Sequence, residues 1–177
     1  METTGETPVS KSKREIIKEA KRLEESTLYS SKGHFVAATF WSYFHSCIGL
    51  LVVVGTTTAA ALVLAYPGSY QTLATILYVV TAILAAVLTF LNPNDNASAH
   101  QISGNHYDAL CARTRIFWSV ECWQDTSELI LSQKILDLSG EKNRLNLSSP
   151  QIPPPAYWIA RRQIAAGQAS YAVDKDV

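Results

Sequence analysis

From Gly33 to Asn94 the chain contains no Asp, Glu, Lys or Arg, which removes that whole stretch from the charged surface of the protein. A formal net charge of zero with 17% charged residues conceals this, because it averages a charge-free middle with charged ends. Overall neutrality and the lack of a recognition module argue against a nucleic-acid partner. Cys47, Cys111 and Cys122 form an odd set without paired spacing, which excludes a disulfide scaffold or zinc site and marks them as free thiols. Cys111 and Cys122 fall on one expected helix, about 16 Å apart along its axis, too far to bridge. There is no glycine-rich phosphate loop, zincin histidine pair or nucleophile elbow. Cys111 and His106 are placed on different faces of a helix and make a poor dyad. No enzymatic activity, cofactor or metal is therefore expected. The first apolar segment begins late and a second follows almost at once, which argues against a cleaved secretory signal. No repeat at solenoid spacing is present.

What the charge-free stretch does contain is two apolar runs divided by a turn at Tyr66-Pro67-Gly68-Ser69. Roughly 20 apolar residues cross a hydrocarbon core about 30 Å thick, and residues 43–65 and 71–91 each satisfy that need. Trp41, Tyr43, Tyr66, Tyr70 and Tyr78 supply interfacial aromatics. Gly55 and Ala59, beside Thr56 and Ala60, make one row of small residues, and Thr81, Ala85 and Thr89, beside Ala82 and Ala86, make another. Such rows allow close helix contact. One can close the pair while another meets a second subunit, so a homo-oligomer in a lipid bilayer is expected. Lys11, Lys13, Arg14, Lys18, Lys21, Arg22 and Lys32 precede the spans, the remaining basic residues follow them, and the turn has none. This pattern places both termini in the cytoplasm.

The expected fold is an all-α membrane protein, a two-transmembrane helical hairpin over 43–91 with an amphipathic N-terminal helix and cytoplasmic C-terminal helices. Residues 1–9 read as a flexible terminus. Residues 10–32 read as an amphipathic cytoplasmic helix opened by a Ser12–Glu15 capping box, with Ile16, Ala20, Leu23 and Thr27 on its apolar face. After Asn92-Pro93-Asn94-Asp95, a long cytoplasmic helix is expected over 97–139, with Ile102, Ala109, Ile116, Trp123, Ile130 and Leu131 as its apolar set and Ser139-Gly140 as its stop. A linker over 140–155 leads to a docking helix over 156–173, attached through Trp158, Ile159, Ile164 and Ala165, with Pro155 in its first turn.

Thr56, Thr57, Thr58, Thr81 and Thr89 are the candidate pore-lining residues, since hydroxyls hydrate without the cost of a buried charge; helix packing is the competing reading. Asn92, Asp95, His100 and His106 are candidates for a cytoplasmic junction or gate, with Asn92 and Asp95 equally suited to capping. His34 and His45, beside the first span, can respond to pH near neutrality. Arg113, Arg115, Arg161 and Arg162 are candidate contacts for a phosphate-bearing ligand or partner, or for intersubunit carboxylates.

The basic amphipathic lead-in, the tightly connected spans, Phe90-Leu91-Asn92-Pro93, the polar helix with His100, His106, Tyr107 and Leu110, and the terminal Pro154-Pro155-Ala156-Tyr157-Trp158 segment together resemble the SLATT family, over roughly residues 10–173. The resemblance implies a two-transmembrane effector in the bacterial inner membrane, found with nucleotide-signalling defence partners, whose hairpins assemble into a pore or perturb the membrane after an infection signal. No sensor or nucleotidyltransferase segment is recognised in the chain, so such a signal is expected to act on the cytoplasmic helices or through another protein. The expected function is an oligomeric, weakly selective, regulated pore; the alternative is a non-conducting membrane scaffold that recruits a cytoplasmic partner.

Overall fold

Helix formation begins at Ser10, whose hydroxyl oxygen accepts the Lys13 N–H at 3.1 Å while its carbonyl accepts the Arg14 N–H at 3.1 Å. This is an N-cap two residues ahead of the expected Ser12–Glu15 box. A computed structural model describes residues 10–169, and all regular structure among them is helical. The elements are α1 (Lys11–Ala65), α2 (Gln71–Leu91), α3 (Pro93–Ser119), α4 (Glu128–Ser148) and α5 (Pro154–Ala165), with a 3-10 turn at Glu121–Trp123. The expected flexible terminus over 1–9 and residues 170–173 of the expected 156–173 helix lie outside the described residues, but that helix already ends at Ala165, where the chain turns over 166–169. Two helical stretches are long and apolar enough to cross a membrane, one within Lys11–Ala65 and one within Gln71–Trp123, with mean hydropathies of 2.3 and 2.4.

The described chain divides into two compact units, one comprising residues 10–36 and 101–169, the other Ala37–His100. The first is a helical bundle. Its core joins Ile16, Ala20 and Leu23 of α1, Leu110 and Phe117 of α3, Cys122 of the turn, and Leu131, Ile135 and Leu138 of α4. Each fully buried Leu or Phe contributes roughly 1.5–3 kcal/mol. Two glycines make room for side chains packed against their helices. A Cβ on Gly33 would lie 2.9 Å from Ile152 Cδ1, and one on Gly104 would lie 2.7 Å from Phe35 Cε1.

The second unit holds the end of α1, α2 and the start of α3. Ser69 N–H bonds to Tyr66 O at 3.2 Å across Pro67 and Gly68 (φ +85°), a type II turn in which glycine supplies the left-handed residue. At the far end of α2, Asn92 adopts φ 42°, ψ 57°, and its N–H bonds to Leu88 O at 3.1 Å. Pro93 then starts α3 at its first position, where a missing N–H costs nothing.

Several boundaries differ from those expected. The lead-in over 10–32 and the span over 43–65 are parts of one continuous α1. The weakest helix former among residues 33–42 between them is Gly33, and a lone glycine costs about 1 kcal/mol and does not end a helix. The helix after α2 begins at Pro93, not near Ala97. The expected 97–139 helix is broken between Ser119 and Glu128, where Thr126 N–H bonds to Gln124 O at 2.8 Å and Ser127 precedes α4 in extended conformation. Of its expected apolar set Leu131 is in the core, but the others are out of phase with the buried face. Ile102, Ile116, Trp123 and Ile130 are exposed, while Tyr107, Leu110, Thr114 and Phe117 face inward. The stop at Ser139-Gly140 is overridden, and α4 takes up the first part of the expected 140–155 linker because contacts beyond it hold: Arg113 pairs with Glu141, Lys142 donates to Ser26, and Tyr107 donates to Asn146. α5 docks through Ala156 and Ala160, with Trp158 and Ile159 exposed.

Candidate functional site

In the apolar unit, the helices contact through small side chains. A Cβ on Gly55 would lie 2.5 Å from Thr81 Cγ2, so glycine alone permits this approach. Ala59, Ala74 and Thr81 are buried, which makes the Gly55–Ala59 row a packing surface. The second row is not packed as a row, because Ala85 and Thr89 are exposed; the inward line on α2 runs through Ala74 and Thr81, seven residues apart. Large side chains point outward. Only 6% and 11% of the most apolar windows of the two stretches are buried, with Leu50, Leu64, Ile83 and Phe90 among the exposed residues.

The threonine hydroxyls are bonded to their own helices. Thr56 donates to Val52 O at 2.7 Å, Thr57 to Val53 O at 2.8 Å, Thr81 to Leu77 O at 2.9 Å and Thr89 to Ala85 O at 3.0 Å. Thr56, Thr57, Thr58 and Thr89 are exposed, whereas Thr81 is buried against Gly55. Of the junction candidates, exposed Asn92 donates its amide to the Asp95 carboxylate. Asn96 donates to Leu91 O at 2.8 Å and thereby satisfies a carbonyl at the end of α2. Asp95 also sits in the first turn of α3, where the helix dipole favours a carboxylate. His100 is buried, and that burial holds its imidazole below the ordinary value. His106 is exposed and belongs to the bundle.

The bundle carries a polar, aromatic groove. Two clefts, of about 350 and 440 Å³, share Ser30 and Ile152 as common walls. Tyr29 and Tyr157 line the first; His34, Tyr107 and Asn146 line the second. His34, anticipated beside a span, is buried here and stacks on Tyr107 with ring centroids 5.4 Å apart and planes 14° apart. Tyr107 OH donates to Asn146 Oδ1 at 2.7 Å. Burial pushes the Tyr107 phenol up, with a hydrogen bond from Ser149 partly offsetting it. The sequence contained the signal for this site in Tyr29-Ser30 and His34 spaced along α1, but its other wall comes from residues more than 70 positions away.

The cationic candidates are dispersed. Arg113 pairs with Glu141, Arg115 is half-buried and engaged, Arg161 lies 6.0 Å from the Trp158 ring centroid, and Arg162 is exposed. Glu24 instead gathers contacts the sequence did not suggest: its carboxylate accepts Trp118 Nε1–H at 2.5 Å, and its carbonyl accepts the Cys111 thiol at 3.6 Å. Burial pushes the Cys111 thiol up, which disfavours a nucleophilic thiolate. Cys122 lies in the 3-10 turn and not on the helix carrying Cys111. Among the described residues, no cluster of His, Cys, Asp and Glu is arranged to hold a metal ion. Comparison of the chain with family models, curated proteins and solved structures gives no match.

Proposed function

We propose that the chain is an oligomeric membrane effector: 43–65 and 71–91 form a two-span hairpin, several copies assemble, and their rearrangement opens a weakly selective path. The observation that carries this reading is the outward placement of large apolar side chains on helical stretches free of formal charge. In water such a surface far exceeds the few hundred Å² that monomeric proteins ordinarily expose; in a bilayer it is the lipid-facing surface. The flanking basic residues favour cytoplasmic termini. Thr56, Thr57, Thr58 and Thr89 are the hydroxyls a shared path would meet, while Thr81 belongs to the helix contact. Asn92 and Asp95 cap the junction. The groove at Tyr29, His34 and Tyr107 is the place for a ligand or partner to act on the cytoplasmic helices. The bacterial inner membrane and a nucleotide-signalling partner come to this reading from the SLATT resemblance.

The scaffold reading also has an observation in its favour: the bonded threonine hydroxyls leave the outward faces with little unmet polarity. Ion flux through liposomes containing the purified protein at several protein-to-lipid ratios separates the two. Flux that rises with protein density and changes in Thr89→Leu supports the pore. Verified insertion without flux, with and without added cytoplasmic extract, favours the scaffold.

A further inference from the structure

Two apolar stripes on the bundle remain uncovered by the described chain. On α3, Ile102, Ala109 and Ile116 recur every seven residues on an exposed line. On α4, Leu129, Leu136 and Leu147 are 81%, 62% and 89% exposed. With Gly140 they fall within about 20° of one line along the helix. Leu131, Ile135 and Leu138 occupy the buried side of α4, so the stripe is additional to the core. The position a Cβ would take on Gly140 is open space.

The heights of these stripes follow from contacts within one copy. Arg113 pairs with Glu141 and Tyr107 with Asn146, so α3 and α4 run antiparallel with those residues level. In a ring whose rotation axis runs along these helices, neighbouring copies carry the same residues at the same heights. Ile116 of one copy then stands level with Leu138 of the next, between Leu136 and Gly140. Ala109 stands level with Leu145, beside Leu147. A bulky residue faces a glycine and a small residue faces a leucine, the complementarity that packed helices need.

We propose that the α3 stripe of one copy packs antiparallel on the α4 stripe of the next, a head-to-tail contact through which the cytoplasmic bundles form a ring. The occupant of each stripe is therefore a second copy of this chain. Two different surfaces meet, as ring closure requires. At this register the two helices overlap over about 14 residues, with Ile102 and Leu129 past the ends of the facing helix, so the contact buries on the order of several hundred Å², below the standard size of specific interfaces. Such a contact is weak between free molecules, and confinement of all copies to one bilayer raises their effective concentration. The inference rests on the assembly part of the proposed function and not on conduction.

The test places photo-reactive benzoylphenylalanine at position 116 of the full chain, in liposomes prepared from mixed heavy- and light-isotope protein. Cross-links between isotopically different copies, from position 116 to residues 136–140, are the expected result. Gly140→Trp, which fills open space in one copy but blocks the neighbour's Ile116, should cut that cross-link at least tenfold with the helical circular dichroism unchanged. Gly140→Ala should retain most of it. Cross-links to position 116 of the other copy, to residues 170–177 of the same copy, or to lipid alone overturn the proposal. Multimers with none of the expected cross-link overturn this contact and leave assembly through the spans standing. A monomer at every protein density overturns both, whereas the cross-link without ion flux sustains this contact and removes only the pore.

Discussion

The bundle and the apolar unit use their large side chains in opposite ways. In the bundle, Leu110, Phe117 and Leu131 are buried and the charged residues face out. In the apolar unit, Ala59, Ala74 and Thr81 are inside, and Leu50, Leu64 and Phe90 are outside. The first arrangement is driven by removing apolar area from water. In a bilayer the second would have no such drive between its helices, and close van der Waals approach of small residues would take its place. Cutting away a large side chain should therefore damage the bundle most, and adding a small one should damage the apolar unit most.

The largest expected effect is in the bundle. Phe117→Ala should cost about 3–5 kcal/mol, read as a lowered denaturant midpoint by tryptophan fluorescence, and Phe90→Ala in the apolar unit should leave that midpoint nearly unchanged. Gly55→Val tests the other half of the contrast. Its added methyls run into Thr81, at a cost of about 1–3 kcal/mol, measurable as loss of helix contact in micelles, whereas Gly49→Ala meets open space and should be tolerated. Tyr107→Phe removes the bond to Asn146, worth about 0.5–1.5 kcal/mol. The raised Tyr107 pKa adds a pH signature: the folded bundle holds the phenolic proton that the unfolded chain releases above about pH 10. Bundle stability should fall as pH rises beyond that point, and fall less in Tyr107→Phe. His100 predicts the opposite, smaller dependence in the apolar unit. Its pKa is held down, so its contribution is present above the ordinary 6.5 and lost as pH falls through the folded value. His100→Gln should flatten thermal unfolding midpoints measured between about pH 8 and pH 5.

The two units also differ in how legible they were. The turn at Tyr66–Ser69, the end of the first apolar run at Ala65, the bounds of the second at Gln71 and Leu91, and the Gly55–Ala59 row all follow from local composition and agree with the structure. The bundle was read less well. Its helices carry apolar residues on two sides, so periodicity alone chose Ile102, Ala109 and Ile116 where the core uses Leu110 and Phe117. The break before Ser127 was masked by the neighbouring Trp123 and Ile130, and Gly140 signalled an end that contacts at Glu141, Lys142 and Asn146 override. The groove was not legible as a site, because its walls are contributed by α1 and by residues around Asn146 and Ile152.

By itself the sequence determined that the protein is helical, that two stretches are long and apolar enough to span a membrane, and where the chain turns between them. These are properties of neighbouring residues: the lack of charge, the helix-breaking Pro67-Gly68 pair, and the Asn92-Pro93-Asn94-Asp95 segment that ends the second apolar run. Only the tertiary structure decided which faces are buried, where α3 gives way to α4, and that His34 stacks on Tyr107. Those outcomes depend on partners distant in the chain, and burial is a property of the pair in contact, not of either segment alone.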